Sequence, residues 1–237
     1  KIIAYTYTEP TIFYEYAYDT CVLAHAEGIK NVFVTNGYIN HQPLEEISPF
    51  LDGANIDLKS MRDEVYRKIC TGRLQPVLES IKLMKHLGIW IEVTTLVIPG
   101  INDSEDEFEN IAEFISQLSR DIPWHISRFY PAYKMQNYPW TPLETLHKAK
   151  QVGHRVGLNY IYIGNVPEQG ENTVRLASPT DMQDVVRTEA EGTGQNSLPA
   201  VEVVERGGRA PQHVLVPFLP EFGVSLSVLV NQDHDYG

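Results

Sequence analysis

The chain has 237 residues, and its 19 Lys and Arg against 31 Asp and Glu give a formal net charge of −12. With 43% hydrophobic and 21% charged residues its composition is that of an ordinary globular protein, which excludes collagenous, coiled-coil and disordered classes. The acidic balance argues against non-specific nucleic-acid binding, which rests on Lys and Arg neutralising phosphates. The length suits one large domain, or one domain with an extension, since single α/β barrels reach ~200–250 residues.

The two cysteines are Cys21 and Cys70. That excludes a disulfide framework and fits a reducing cytosol, so a cytoplasmic location is expected. It also excludes an iron–sulfur cluster or metal site built from three or four cysteines of this chain alone. No apolar run reaches the ~18 residues of a membrane span, and no signal peptide is visible. The chain opens KIIAYTYT, without Met and already inside a β-rich run. The expectation is that the true N-terminus lies upstream.

Apolar, β-branched or aromatic runs occur at Ile2–Tyr7, Val32–Thr35, Ala54–Leu58, Trp90–Ile98, Trp124–Phe129 and Asn159–Ile163. Their starts are spaced by roughly 22–36 residues, the length of a βα unit. Between them lie helical periodicities. In Leu74–Leu87 the apolar positions recur at three or four, and Gly88 follows as a stop. Glu105–Leu118 behaves likewise, with Ser104 and Glu107 placed as a capping box. Thr141 and Pro142 read as the cap and first residue of a third helix. Strands alternating with helices imply a mostly parallel sheet, as a barrel, a partial barrel or a doubly wound open sheet. In each, functional groups sit at the carboxyl ends of the strands.

The rhythm stops near residue 173. No lysine follows Lys150, Thr188–Ser197 reads as a linker, and the apolar run Val214–Val230 is interrupted by Pro217, Pro220 and Gly223. Residues 174–237 are therefore expected to be a separate irregular extension, poorly ordered and holding at most short strands.

The strand ends carry the chemistry. After the first strand, Glu9 precedes Pro10; it either caps the next helix or offers a carboxylate at the mouth of the sheet. Asn36-Gly37 is a turn signal that can also present amides to a ligand. Asn55, Asp57 and Lys59 share one face of the third strand, because strand side chains alternate. An inward polar face is costly unless it is paired or binds something, so Asp57 and Lys59 are either an ion pair or part of a ligand site. Pro99-Gly100 allows a close backbone approach. His125, Ser127 and Phe129 share a face of the fifth strand. Neither GxGxxG nor GxxxxGK[ST] is present, and neither a GxSxG elbow nor HExxH occurs.

Taken together, YTYTEPTIFYEY, VTNGYI, ANIDLKSMRDEVYRKI, TTLVIPGINDS, WHISRFYPAY and YIYIGNVP resemble, in order over residues 1–173, radical S-adenosylmethionine (SAM) enzymes of the glycyl-radical-activase type. The likeness is greatest to the radical SAM member of the AmmeMemoRadiSam system. The resemblance implies a partial (β/α)6 TIM-like barrel over residues 1–173, with its first strand and cluster loop lacking. It implies that Thr8 and Glu9 lie in the motif whose backbone holds the amino end of SAM, with Thr8 where most members have Gly. Asp57 and Lys59 match a DxK pair near the ribose and carboxylate, and Asn36 lies in the loop after the family's third strand. Pro99 and Gly100 match a loop beside the adenine, and His125 a histidine near the ribose. Val34 stands where activases often carry an Asp near a monovalent cation. In that family a [4Fe–4S] cluster reduces SAM, and the resulting 5′-deoxyadenosyl radical takes hydrogen from a substrate.

The family's CxxxCxxC is absent, and Cys21 and Cys70 cannot replace three thiolates. The expectation is a fragment of a radical SAM enzyme, inactive alone, with no catalytic or metal-ligating residue of its own. A protein substrate or a Memo-like protein is the expected partner. Two other readings are an aldolase-like Schiff-base enzyme using Lys59 and a non-catalytic barrel that binds a partner protein.

Overall fold

A computed structural model describes residues 1–166 and, within the remainder, the backbone of two strands. Six parallel strands form one sheet in sequential order: β1 (Ile2–Tyr5), β2 (Lys30–Thr35), β3 (Gly53–Asp57), β4 (Trp90–Val97), β5 (Trp124–Arg128) and β6 (Ile161–Gly164). The crossovers contain α1 (Tyr14–Ala26), α2 (His41–Ile47), α3 (Asp63–Val65) continued by a wider turn over Tyr66–Cys70, α4 (Leu74–His86), α5 (Glu105–Leu118) and α6 (Leu143–Val156). This is the expected α/β array of a partial TIM-like barrel.

Every strand runs parallel to its neighbour, so in-register residues point to the same side. One side carries Phe33, Ala54, Ile56, Ile91, Val93, Val97, Trp124, Ile126, Ile161 and Ile163, all in the main apolar core. Helices supply the opposing surface: Val77, Ile81 and Met84 from α4, Phe108, Ile111 and Ile115 from α5, and Leu146, Ala149 and Val152 from α6. The approach of α6 is close enough that a Cβ at Gly153 would lie 2.5 Å from Ile161 Cδ1 and 3.1 Å from the Trp124 ring. Glycine is required there by space.

Several local expectations are corrected. The first strand stops at Tyr5, because Thr6–Pro10 already turn away, and the sixth begins at Ile161. Only half of the capping box forms: the Ser104 hydroxyl accepts the Glu107 N–H, while the Glu107 carboxylate turns instead to Ser60, Met61 and Arg62. At α6, Pro142 is the N-cap residue, and Thr141 is no cap. Its buried hydroxyl donates to the Val97 carbonyl and accepts the Phe129 N–H, stitching β4 to the segment after β5.

The boundary near residue 173 and the linker at Thr188–Ser197 lie outside the described residues. Within the extension, β7 (His213–Leu219) and β8 (Val224–Leu229) pair antiparallel, so it contains a hairpin. The register shifts between Leu215 and Phe218, flanking Pro217, which has no N–H for the ladder.

Candidate functional site

The side of the sheet away from the helices is polar at its centre. Register aligns Val34, Asn55 and Glu92 in one row across β2, β3 and β4. The next row joins Asp57, Thr94, His125 and Tyr162 across β3 to β6. Thus Asp57, the last residue of β3, and His125, the second of β5, meet at the same level through Thr94. Sequence distance concealed this, because neighbouring strands are staggered.

Glu92 and His125 form the centre of this face. His125 Nε2 lies 2.5 Å from Glu92 Oε2, with side chains 6% and 0% exposed. The second Glu92 oxygen accepts from Trp90 Nε1 at 3.2 Å. The imidazole stacks on Tyr162, with ring centroids 5.3 Å apart and 22° between planes. Asn55 Oδ1 accepts from the Thr94 hydroxyl at 2.8 Å. Two buried polar atoms on this face have no hydrogen-bond partner, Asn55 Nδ2 and His125 Nδ1. A buried polar group without a partner costs ~1–3 kcal/mol, so an arrangement that holds two of them is suited to a polar ligand.

Asp57 and Lys59 form an ion pair of 2.8 Å and both remain partly exposed. The Asp57 carboxylate raises the Lys59 ammonium above the ordinary lysine range, against the opposing effect of burial. A Schiff-base nucleophile needs the reverse, a depressed pKa, so this environment opposes the aldolase-like reading. Lys59 is held from behind. Its backbone N–H donates to the Tyr66 hydroxyl at 3.1 Å, and its carbonyl accepts from Asn102 Nδ2 at 2.7 Å. Asn102 also accepts the Ile98 N–H and donates to the Leu96 carbonyl, so one buried amide ties the ends of β3 and β4 together. Buried Glu107 completes the clamp by accepting from Met61 N–H at 2.7 Å and Arg62 Nε at 3.1 Å.

The other expected site residues divide. Glu9 is buried, and its oxygens accept from the Thr35 hydroxyl at 2.6 Å, the Asn36 N–H at 2.7 Å and the Thr11 hydroxyl at 3.1 Å. Its carboxylate locks the end of β1 to the end of β2 and is occupied in doing so. The Asn36 side chain accepts the Tyr38 N–H, forming a turn. Gly37 in that turn has φ 72°, and a Cβ there would lie 2.7 Å from Ile56 Cγ2. Thr8 is exposed beside Glu9. Pro99 and Gly100 form the turn after β4; Gly100 has φ 74° and donates its N–H to Asp103. These positions lie after the carboxyl ends of β1, β2 and β4, with Asp57 and Lys59 at the end of β3, whereas His125 lies near the start of β5. Sequence reading missed Glu92, Thr94 and Tyr162. A charged residue inside the otherwise apolar run of β4 was the available signal for Glu92.

The described residues contain no group of three His, Cys, Asp or Glu that could hold a metal ion. Cys21 is buried in α1, where burial pushes its thiol up to about 11. Cys70 ends the turn after α3, and burial raises its thiol as well. Cluster ligation needs thiolates brought together, so these residues do not fit an iron–sulfur cluster. The polar inner face, with its two unpartnered atoms, fits an organic ligand carrying several hydrogen-bonding groups.

Residues 1–115 match the Radical SAM superfamily. Over those residues the chain is similar to that superfamily. An uncharacterized protein of Methanocaldococcus jannaschii is 50% identical over 173 residues, covering 72% of this chain and 51% of that protein. The pyruvate formate-lyase 1-activating enzyme of Escherichia coli strain K12 is 24% identical over 147 residues, covering 55% of this chain and 60% of the enzyme. The chain thus spans about half to three fifths of the length of these relatives. Among solved structures, a domain of a pyruvate-formate lyase-activating enzyme from Bacteroides vulgatus has the same fold, with a TM-score of 0.61 at 20% identity over 68% of this chain and 98% of that one. Streptococcus suis SuiB bound to S-adenosylmethionine superimposes with a TM-score of 0.55 at 10% identity, over 68% of this chain and 38% of SuiB.

Proposed function

We propose that residues 1–166 form the SAM-binding part of a radical SAM enzyme of the glycyl-radical-activase type, specifically the AmmeMemoRadiSam member, whose cluster ligands are supplied from outside this chain. The observation that carries this reading is the row Asp57–Thr94–His125, flanked by the unpartnered Asn55 Nδ2 and His125 Nδ1. SAM supplies a 5′-deoxyadenosyl radical when it is reduced, and that radical takes a hydrogen atom from a substrate. The chain's own part is binding and orientation. The Asp57–Lys59 pair offers one acceptor and one donor to a zwitterionic or hydroxyl-bearing ligand. Glu92 fixes the plane of the His125 ring and leaves Nδ1 for the ligand. Asn102 and Glu107 hold the backbone on which Asp57 and Lys59 stand. A cytoplasmic location and a protein substrate or Memo-like partner belong to the same reading. Among the described residues no helix is long and apolar enough to cross a membrane.

Calorimetry with SAM tests it. Weak binding is expected for the chain alone, and Asp57→Ala should weaken it by roughly 10-fold or more, the value of one charge-assisted hydrogen bond. Equal affinity in the two proteins would overturn the site. Anaerobic treatment with iron and sulfide should leave no stoichiometric cluster on this chain. A visible iron–thiolate absorbance lost on substituting Cys21 or Cys70 would refute the placement of the cluster ligands elsewhere.

A further inference from the structure

The segment after β5 builds a feature that the SAM reading does not use. The Arg128 guanidinium lies 5.4 Å from the centre of the Tyr130 ring and 5.7 Å from that of Trp140. The two rings meet edge to face, with centroids 4.6 Å apart. Arg128 and Tyr130 are each fixed by hydrogen bonds. Arg128 Nε donates to the Thr141 carbonyl at 2.7 Å, and the Tyr130 hydroxyl donates to the Asn165 carbonyl at 2.7 Å. Asn165 in turn donates its Nδ2 to the Arg128 carbonyl at 2.8 Å. The cation is therefore set in place before any ligand arrives, while Trp140 is 57% exposed.

Among the described residues no carboxylate pairs with Arg128, in a chain whose acidic residues outnumber its basic ones. Nε is occupied, and the two terminal nitrogens of the fork donate to no described residue. A guanidinium stacked on aromatic faces keeps its edge free for bidentate carboxylate binding. Its side chain has already lost the freedom that binding would otherwise cost. Trp, Tyr and Arg are also the residue types that dominate the energetics of protein–protein contacts. The platform stands at the carboxyl end of β5, on the same end of the sheet as Asp57, Lys59 and the Pro99–Gly100 turn.

We infer that Arg128, Tyr130 and Trp140 form a docking site for an acidic polypeptide segment, which sets the class of macromolecule presented to the mouth of the sheet. The carboxylate of a Glu or Asp side chain meets the guanidinium edge, and the neighbouring backbone and side chains of the same segment lie on the exposed Trp140. The inference rests on the proposed function only for the meaning of the mouth; the docking itself is independent of SAM.

The probe is a capped ten-residue peptide of alternating Glu and Gly, titrated against the whole chain at low salt. Trp140 fluorescence reports binding, since Trp124 is buried and Trp90 lies on the inner face. The peptide is expected to saturate the signal, and its Gln–Gly counterpart is expected to leave it unchanged. Arg128→Gln should weaken binding by about tenfold or more. Arg128→Lys should also weaken it, because the fork and the stacking are lost. Trp140→Leu, at an exposed position, should weaken binding (read by calorimetry) without altering the melting temperature. Lys134→Gln removes a nearby exposed cation and should change affinity less than Arg128→Gln does. An equal effect of Lys134→Gln, or equal binding of the Gln–Gly peptide, overturns the site as general attraction or general stickiness. Glutarate binding as tightly as the peptide overturns the polypeptide as occupant. A SAM titration of Arg128→Gln separates the two readings. Retained SAM affinity with lost peptide binding supports the docking site, whereas absent SAM binding in the unsubstituted chain refutes the proposed function alone.

Discussion

The two sides of the six-stranded sheet solve opposite problems with the same backbone. On the helix side Ile56, Val93, Trp124 and Ile126 are sealed under α4, α5 and α6, and the polar exceptions are satisfied: Trp124 Nε1 donates to the Thr95 hydroxyl, which donates to the Leu58 carbonyl. On the other side, one residue along the same strands, Asn55, Glu92, Thr94 and His125 replace the aliphatic residues, and two of their polar atoms have no partner. The helix side is built for stability. The inner side gives up part of that stability to keep hydrogen-bonding groups available, which is what a binding surface requires.

The comparison breaks most visibly where the helix side is cut. Trp124→Ala should destabilise the fold by about 4 kcal/mol, combining lost burial, a cavity against Gly153 and the loss of the Thr95 bond. Urea unfolding showing less than about 1.5 kcal/mol would mean that this side is not the principal core.

The inner side should answer differently to single and paired changes. Glu92→Leu alone leaves His125 buried without its carboxylate and should cost about 3 kcal/mol. Glu92→Leu combined with His125→Leu should regain most of that loss while SAM binding is lost. A double variant as unstable as the single one would show that the pair stabilises the fold in its own right.

Alkaline pH probes the join between the two sides. Burial pushes the Tyr66 hydroxyl from 10.0 up to about 12, and Lys59 is raised by Asp57. A pKa raised in the folded state contributes stability that is complete below the unfolded value and is lost as pH rises through the folded one. Stability should therefore hold to about pH 9 and fall between about pH 10 and 12, by roughly 2 kcal/mol for Tyr66. Tyr66→Phe should flatten that part of the profile. An unchanged slope in urea midpoints taken at pH 9 and 11 would argue against it.

At the mouth the expectation is smaller still. Asp57→Ala should change stability by less than about 1 kcal/mol, since the pair is partly exposed, yet it should weaken SAM binding as described above. A large stability loss would move Asp57 from binding to structure. The exposed Glu64–Lys68 pair sets the floor: Lys68→Ala should shift the melting temperature by no measurable amount.

Much of this was legible from local signals. The six strands follow from apolar, β-branched or aromatic runs, and α4 and α5 from period-3.6 apolar patterns, which a chain expresses over neighbouring residues; α6 was marked by Thr141 and Pro142 alone. Asp57 and Lys59 were legible as candidates because alternation places them on one face. Failures came where a side chain chose between a local and a distant partner. Glu107 is positioned to cap its own helix and instead closes the loop at Ser60–Arg62, some 45 residues earlier. Thr141 holds β4 through the Val97 carbonyl rather than the helix that follows it.

What the sequence determined by itself was therefore the order and kind of the elements, the carboxyl ends as the place for function, and a cysteine content too small for a cluster. These depend on the composition and spacing of adjacent residues. Only the tertiary structure decided that Glu92 meets His125 across 33 residues, that Glu9 is consumed in joining β1 to β2, and that Arg128 lies against the rings of Tyr130 and Trp140. Those choices depend on strand register and on the depth at which each helix crosses back, and register is set by packing the whole apolar face at once.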